Sequence, residues 1–407
     1  MGKGESHRSL SRSTPTPTAP GILVVSRGGH PGVDDALHQL TSNGQLRSAE
    51  HVKIHDVRSS ESASAFQRII DLVQRARIEI VVLHHYHGAG VPDPRHTVTA
   101  IQKQPHRPVV AVTCGDAFFN GFPFRPALPE VLRHASSVAD ITFSTSMGPL
   151  AEAFVAAGAR RVTLWPNGAC QVRFARSRAP ASTGGEVYDV AFIGSNNKPR
   201  DPRHGYFWFA RERNRLVGDL TARFGSRFAV FGHGWEGVSS NRGPISYQDQ
   251  LRVCQQARVV VGGVPFSRGR YYTSDRVFNQ ALSGVPFVDI SLDGLEALLR
   301  AGEHWHLVEH HKEVADRCAE LLALPKRDRT ELGSRAADHV AQHHMQFHRW
   351  TSLVSTMRGL HEALRDDIEP APPDLSFLLP EVDRTEEIPL ATRGYADPLG
   401  STRADCW

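Results

Sequence analysis

The sequence predicts an α/β protein made of two doubly wound domains that face each other across a cleft. Short, β-branched apolar runs alternate with amphipathic helical segments along most of the 407 residues. This pattern stops once, between residues 171 and 188, where Arg, Ser, Pro and Gly replace the apolar residues. Alternating strands and helices are typical of parallel sheets, which bind ligands at the carboxyl ends of their strands. The alternative is two independent modules that share no site.

The first domain is predicted to span residues 21–170. Residues 1–20 are polar and rich in proline, and we expect them to be disordered. The domain's strands are predicted at 22–26, 51–57, 78–83, 108–113, 140–144 and 161–165. Its helices are predicted at 33–40, 63–75, 95–103, 129–136 and 149–157.

The second domain, residues 189–345, follows the predicted linker 171–188. Its strands are predicted at 189–195, 228–231, 258–261 and 285–290. Its helices are predicted at 209–224, 246–256, 275–283, 292–300, 312–322 and 327–342. A last amphipathic helix is predicted over 346–364, and the acidic, proline-rich tail 365–407 is expected to be mobile.

Composition excludes several classes of protein. The formal charge of +4 comes from scattered basic residues, so nothing indicates a nucleic-acid partner. The five cysteines form no CxxC pair and no zinc spacing, which favours reduced thiols. No run reaches the roughly 20 apolar residues needed to span a bilayer, and the N-terminus lacks the apolar core of a signal peptide. We therefore expect a cytoplasmic protein with no membrane span.

The stretch from 259 to 290 carries the clearest functional signal. Two buried strands flank a loop rich in Arg and Tyr and a helix that begins at Asp275, with Ser274 as its predicted N-cap and Gly284 at its end. Arg270 and Arg276 lie beside the start of this helix, where backbone N–H groups and guanidinium donors suit a phosphate or diphosphate. The alternative is an ordinary crossover whose arginines are solvated.

Residues 271–278, TyrTyrThrSerAspArgValPhe, and 282–288, LeuSerGlyValProPheVal, resemble the nucleotide-sugar-binding segment of group-1 glycosyltransferases. The similarity is to the spore maturation protein B-like (CgeB-like) branch. It extends to PheIleGlySer at 192–195 and PheGlyHisGlyTrp at 231–235. The resemblance implies two Rossmann-like domains of the GT-B architecture and a nucleoside-diphosphate sugar as co-substrate. It also implies no essential metal and a final helix that returns to the first domain.

The resemblance also implies a set of donor-binding residues. Where the family has an acidic residue that holds the ribose hydroxyls, this chain has Asn279, which lacks the charge for the strongest bonds. Trp235 has an alternative role as a structural aromatic plug. The predicted donor-binding residues are Gly194, Ser195, Gly232, Gly234, Trp235, Arg270, Tyr272, Ser274, Asp275, Arg276 and Asn279.

Candidate catalytic residues follow predicted strands of the first domain. His30, His85 and Asp116 each stand where a side chain faces the cleft and could act as a general base, and Asp116 is the favoured one. His84, His85 and His87 suggest a metal site. We expect none, because adjacent side chains at a strand end point to opposite faces.

The predicted function is a metal-independent glycosyltransferase of the hexosyltransferase type, with no cofactor and an unidentified acceptor. Two alternatives remain. A nucleotide-sugar epimerase on the same architecture would release free nucleotide without an acceptor. A non-catalytic nucleotide-sugar-binding protein would fit the departure at Asn279.

Overall fold

A computed structural model describes residues 19–54, 62–88, 91–116, 127–175, 185–197, 200–204, 206–263, 269–382 and 391–392. Of the predicted disordered segment 1–20, residues 1–18 lie outside these ranges, whereas residues 19 and 20 are described and buried. Of the predicted mobile tail 365–407, residues 383–390 and 393–407 lie outside them. Most of the predicted linker, residues 176–184, also lies outside them.

The first domain is built on a seven-stranded sheet with the order β12-β6-β5-β4-β3-β1-β2. All neighbours are parallel except β12, which pairs antiparallel with β6. Every residue of β1, β3 and β4 is buried, as expected for strands covered on both faces. The strands are β1 (Gly21–Ser26), β2 (Ser48–Lys53), β3 (Ile80–His84), β4 (Val109–Cys114), β5 (Ile141–Ser144), β6 (Arg161–Leu164) and β12 (Ala391–Thr392).

Helices cover both faces of this sheet. They are α1 (Pro31–Ser42), α2 (Ser62–Arg75), α3 (Arg95–Gln102), α4 (Glu130–Val138) and α5 (Pro149–Ala156), followed by the short α6 (Gln171–Ala175). On one face, Val33, Leu37 and Leu40 of α1 pack in one hydrophobic cluster with apolar residues of β1 and β3.

The second domain has a five-stranded parallel sheet with the order β11-β10-β9-β7-β8. Its strands are β7 (Tyr188–Ile193), β8 (Phe228–Phe231), β9 (Ala257–Val261), β10 (Phe287–Ile290) and β11 (His306–Val308). Its helices are α7 (Phe207–Phe224), α8 (Gln250–Gln255), α9 (Asp275–Ala281), α10 (His311–Ala323) and α11 (Lys326–His343). Two parallel-sheet α/β domains confirm the predicted fold class.

In this domain one local prediction is wrong and one strand was not predicted. The helix predicted at 292–300 is a single 3₁₀ turn at Leu295–Ala297, because Gly294 precedes it in the left-handed region with φ of 83°. The edge strand β11 was not predicted, since its three residues are too short a run to give a pattern.

The chain crosses back to the first domain in its last helix, α12 (Gln346–Asp366). Trp350, Leu353 and Met357 of this helix are buried with residues of α1 and of the first sheet. The Trp165 indole N–H, just after β6, donates to the Arg349 carbonyl over 2.9 Å. Helix α12 is therefore part of the first domain's core.

The segment that follows α12 corrects part of the predicted mobile tail. Leu375, Phe377, Leu378 and Leu379 are each at most 4% exposed. The Leu379 N–H donates to the Ala297 carbonyl in the second domain over 2.9 Å. The tail's acidic and proline-rich composition concealed one apolar cluster, which docks between α12 and the 3₁₀ turn.

Each sheet has one topological switch point, where the strand order reverses. In the first sheet it lies between β1 and β3, and in the second between β7 and β9. Ligands of doubly wound folds bind outside the carboxyl ends of the strands at such points. Among the described residues, no helix is long and apolar enough to cross a membrane.

Candidate functional site

Backbone and amide hydrogen bonds join the two domains beside the cleft. The Met147 N–H of the first domain donates to the Arg270 carbonyl of the second over 2.9 Å. The Asn167 amide, which follows β6, donates to the carbonyls of Gly115 (3.0 Å) and Thr273 (3.2 Å). These contacts hold the loop before α9 against the carboxyl edge of the first sheet.

A cavity of about 310 Å³ lies over the switch point of the second sheet. We call it the second-domain cavity. The predicted residues Ser195, Tyr272, Ser274, Asp275 and Arg276 line it, and so does Asp116 from the first domain. Ser274 occupies the N-cap position of α9, but its hydroxyl accepts no bond from the helix, so the predicted side-chain cap is absent.

Two arginines meet in this cavity. The Arg213 Nη1 group on α7 donates to the Ser195 carbonyl over 2.6 Å. A methyl group built on Gly263, just after β9, would lie 3.0 Å from Arg276 Nη1 and 3.3 Å from Arg213 Nη2. Burial, and then the neighbouring Arg276, lowers the pKa of Arg213 to about 10, so Arg213 remains cationic at neutral pH. Two adjacent guanidinium groups favour a ligand with more than one negative charge.

A buried carboxyl group, Asp289 at the end of β10, also lines the cavity. Asp289 is 3% exposed and packs against Gly262. Burial raises the pKa of Asp289 to about 7, although a bond from the Ile290 N–H and the charges of Arg276 and Arg213 oppose this shift. Near neutral pH this carboxyl group is therefore only partly ionised and only partly offsets the two arginines.

Glycines let the loops after β7 and β8 pack closely beside the cavity. A methyl group at Gly232 would come within 2.5 Å of the Gly194 carbonyl oxygen, and one at Gly234 within 2.3 Å of the Asn196 carbonyl oxygen. Both residues have positive φ. Their role is thus to shape the loop that carries Ser195, since neither is among the residues lining the cavity.

Trp235 and Arg270 do not contact this cavity. Trp235 is fully buried and its indole N–H donates to the Gly194 carbonyl over 2.7 Å, which supports the alternative of a structural plug. The Arg270 guanidinium lies over the Tyr271 ring and forms an ion pair with Asp293 at 3.3 Å. Neither residue is among those that line the cavity, so their predicted donor contacts stay predictions.

Asn279 also faces away from the cavity. It is 2% exposed, and its Nδ2 group donates to the Tyr247 hydroxyl over 2.7 Å and to Asp275 Oδ2 over 3.3 Å. The Tyr247 hydroxyl in turn bonds to Asp275 Oδ2. Tyr247 thus engages the Nδ2 half of this amide, while the Oδ1 atom has no partner among the described residues, and the ribose contact of Asn279 stays a prediction. The next residue, Gln280, lines the cavity instead.

The second cavity, about 260 Å³, lies over the switch point of the first sheet. We call it the first-domain cavity. Its walls include His30, His85, Asn167 and Arg173, with Trp165 and Trp350. Asp116 and Asp275 line both cavities, so the two meet at these carboxylates. This continuity supports one shared site over two independent modules.

The histidines of the first-domain cavity form a compact group. The His84 and His85 rings are 4.3 Å apart, and the His30 ring lies 5.0 Å from His84. The expectation that His84 and His85 point to opposite faces is wrong, because the strand ends at His84 and His85 turns with φ of 47°. Even so, no group of three or more metal-binding side chains with suitable geometry occurs among the described residues.

These imidazoles are neutral at physiological pH. Burial, and then the charges of His30 and His87, lowers the pKa of His85 to about 3. Burial likewise lowers the pKa values of His30 and His84. A base with so low a pKa accepts a proton weakly, so His85 suits hydrogen bonding to a ligand better than proton transfer.

Asp116 has a more suitable position for a general base. Its side chain is 59% exposed, where the two cavities meet, and its Oδ2 atom lies 3.6 Å from His87 Nε2.

Sequence reasoning did not find Arg213, Gln280 or Asp289. Arg213 is one of several charged residues on α7, and only the direction in which the helix faces distinguishes it.

Comparisons with known proteins bear on the fold and on one segment of the sequence. Residues 211–355 match the family model described as glycosyl transferase-like. The structure is similar to an E. coli trehalose-6-phosphate protein bound with UDP-2-fluoro glucose (11% identity, 87% of this chain and 100% of that chain, TM-score 0.51). It is also similar to an α,α-trehalose-phosphate synthase (UDP-forming) from Burkholderia vietnamiensis (11% identity, 85% and 100%, TM-score 0.51). The chain has the GT-B fold. No curated protein matches its sequence significantly.

Proposed function

We propose that the protein is a glycosyltransferase that transfers a sugar from a nucleoside-diphosphate sugar to an acceptor hydroxyl. The observation that carries the proposal is the pair of arginines, Arg213 and Arg276, beside Gly263 at the switch point of the second sheet. The glycosyl transferase-like match over 211–355 covers both arginines. UDP-2-fluoro glucose in a protein of the same fold supports this class of donor.

The arginines account for the chemistry that the leaving group requires. When the bond between the sugar and the diphosphate breaks, about two to three negative charges remain on the diphosphate, and fixed cationic donors stabilise them most effectively. We infer that Arg213 and Arg276 supply this stabilisation in place of a divalent cation. Asp289, when protonated, would not repel the diphosphate.

The acceptor is proposed to bind in the first-domain cavity. Asp116 stands where the cavities meet. It would take the proton of the acceptor hydroxyl while the oxygen of that hydroxyl forms the bond to the sugar. Neutral His30 and His85 would hold other hydroxyl groups of the acceptor by hydrogen bonds. We further propose the CgeB-like branch and a cytoplasmic location, on the motif at 271–288 and on the absence of a membrane-spanning pattern in the sequence.

The proposal is tested by titrating nucleoside diphosphates by calorimetry into the wild type and arginine variants. Arg276→Ala should weaken binding by about 1.5–3 kcal/mol, the value of a charge-assisted hydrogen bond, and Arg213→Ala should act similarly. Arg215→Ala is the matched control, since Arg215 lies on the same helix but is exposed and paired with Glu212. Unchanged affinity in folded Arg276→Ala and Arg213→Ala proteins would refute the site.

Turnover then distinguishes the candidate functions. Nucleotide release that depends on an acceptor indicates transfer, release without any acceptor indicates an epimerase, and binding without turnover indicates a non-catalytic protein. EDTA should leave turnover largely intact. Loss of turnover in EDTA that magnesium or manganese restores would show that the arginines do not replace a metal.

A further inference from the structure

Gln280 is a buried amide in the second-domain cavity. The residue is 1% exposed, and among the residues that the structure describes neither its Oε1 nor its Nε2 atom has a hydrogen-bond partner. It follows Arg276 by four residues on α9, so both side chains lie on the same face of the helix. A buried polar atom left unpaired costs about 1–3 kcal/mol, and such atoms in native proteins call for an explanation. A ligand in the cavity would provide one.

The position of Gln280 indicates which part of the ligand it meets. The second-domain cavity joins the first-domain cavity at Asp116 and Asp275, whereas Gln280 and Asp289 line the second-domain cavity alone. In a transfer reaction the sugar must lie at the junction, next to the acceptor. With the diphosphate at Arg213 and Arg276, the nucleoside is left for the part of the second-domain cavity away from this junction, and Gln280 is the unpaired amide among the residues that line this cavity alone.

We propose that Gln280 recognises the nucleoside of the donor, with its Nε2 group donating one hydrogen bond and its Oε1 atom accepting another. This assignment rests on the proposed function. A group with an adjacent donor and acceptor would satisfy both atoms. Two parts of a nucleoside offer one: the ribose hydroxyl pair, and the edge of a base that carries a ring N–H beside a carbonyl.

The residue that the resemblance indicates for nucleoside contact, Asn279, has its Nδ2 group bonded to Tyr247 and Asp275. Its Oδ1 atom has no partner among the described residues, but Asn279, unlike Gln280, does not line the cavity. Gln280 thus carries an amide one position further along the helix and on the ligand side. The recognition is specific to this chain's packing and does not follow from its motif.

The test compares the wild type with Gln280→Met, which has a similar volume and no hydrogen-bonding amide. Without ligand, the variant should be at least as stable as the wild type, because it removes two unpaired buried atoms. Its affinity for a nucleoside diphosphate should fall about 10-fold, which corresponds to one or two neutral hydrogen bonds. Its affinity for inorganic diphosphate, which contacts only the arginines, should not change.

Analogues then identify the group that is recognised. If the ribose is the partner, the difference in affinity between the wild type and the variant should be smaller for 2′-deoxy and 3′-deoxy nucleotides than for the ribonucleotides. If the base is the partner, the wild type's preference among uridine, guanosine and adenosine diphosphates should disappear in the variant. Either result supports the assignment.

Three results would overturn this assignment alone. Equal affinity of both proteins for every nucleoside diphosphate means that Gln280 does not contact the nucleoside. A loss confined to nucleotide sugars, with free nucleoside diphosphates unaffected, places Gln280 at the sugar instead. If the wild type binds inorganic diphosphate but gains nothing from a nucleoside, the nucleoside assignment fails while the arginine site stands. Failure of the wild type to bind any of these ligands would refute the proposed function itself, and this assignment with it.

Discussion

Replacing Asn279 with aspartate tests the hydrogen-bond network on α9. In the structure, the Asn279 Nδ2 group lies 3.3 Å from Asp275 Oδ2 and donates to the Tyr247 hydroxyl over 2.7 Å. Asn279→Asp replaces this donor with a carboxylate oxygen of nearly the same size. The Tyr247 hydroxyl has a single proton, so it can donate to only one of the two carboxylates at a time.

The expected penalty follows from the distance between the carboxylates. Two unit charges 3.3 Å apart repel by about 5 kcal/mol at an effective dielectric constant of 20. Asp275 is only half-buried, so solvent and small movements will relieve part of this repulsion. We expect Asn279→Asp to lower the free energy of unfolding by about 2–4 kcal/mol at pH 8.

The pH dependence distinguishes repulsion from simple loss of hydrogen bonds. Repulsion raises the pKa of the carboxylate pair in the folded state above its unfolded value, so the folded variant binds more protons. Its stability relative to the wild type should therefore recover as the pH falls from the folded pKa towards the unfolded one, near 4. Asn279→Ala, the matched control, should lose about 1–2 kcal/mol at every pH.

Urea unfolding between pH 5 and 8 measures the free energy of unfolding of both variants. An Asn279→Asp protein as stable as the wild type at pH 8 would refute the network.

Nucleotide titration into Asn279→Glu adds a second test. The family resemblance predicts that glutamate tightens binding by about 0.5–1.5 kcal/mol, through charge-assisted bonds to ribose. The network predicts weaker binding, because the new carboxylate disturbs Asp275 at the cavity.

Three further predictions concern other parts of the molecule. A bound diphosphate favours protonated Asp289, whose pKa is about 7, so affinity for a nucleotide sugar should fall as the pH rises from 6 to 8. Asp289→Asn should remove this pH dependence, and a wild-type affinity that does not change with pH would contradict the prediction. Gly234 and Gly237 have φ of 81° and 84°, but only Gly234 lacks room for a methyl group. In urea unfolding, Gly237→Ala should lower the free energy of unfolding by about 1 kcal/mol, and Gly234→Ala should lower it by about 1–3 kcal/mol more. Equal losses would contradict this prediction. The buried Arg349 donates hydrogen bonds to the carbonyls of Pro166 and His343, where the chain passes between the domains. Arg349→Met should therefore lower the free energy of unfolding in urea by about 2–4 kcal/mol, against under about 0.5 kcal/mol for Arg365→Met at an exposed position of the same helix. Similar losses in the two variants would show that Arg349 does not hold this connection.

The sequence predicted most of the architecture because buried parallel strands leave a strong local signal. Runs such as 109–114 and 257–261 are short, β-branched and bounded by helical patterns. Prediction failed where tertiary contacts decide the structure. Strand β2, predicted at 51–57, pairs with β1 at Ser48–Lys53, and its residues are only half-buried or exposed, so no apolar run marks it. The docking of Leu375–Leu379 depends on a surface made by distant elements.

The site was predicted less completely than the fold. The sequence indicated the strand ends that carry Ser195, Asp116 and the histidines, because parallel strands bring their carboxyl ends to one edge. It gave no way to choose Arg213 from the other charged residues of α7, since that choice depends on the angle at which the helix packs on β7. Asp289 was hidden because an acidic residue inside an apolar strand carries no motif.

The proposed exchange of roles between Asn279 and Gln280 illustrates how a motif can identify a helix without identifying which of its side chains meets the ligand. Successive residues on an α-helix are rotated by about 100°, so a shift of one position moves a side chain to another face. Here the face that Asn279 presents is held by Tyr247, 28 residues before Asp275 in the chain, whose hydroxyl engages both Asp275 and Asn279. Arg276 and Gln280, four residues apart, are then left facing the cavity together. The motif places a carboxylate at position 279, where this chain has an amide bonded to Tyr247, and the amide that lines the cavity beside Arg276 is that of the next residue, Gln280.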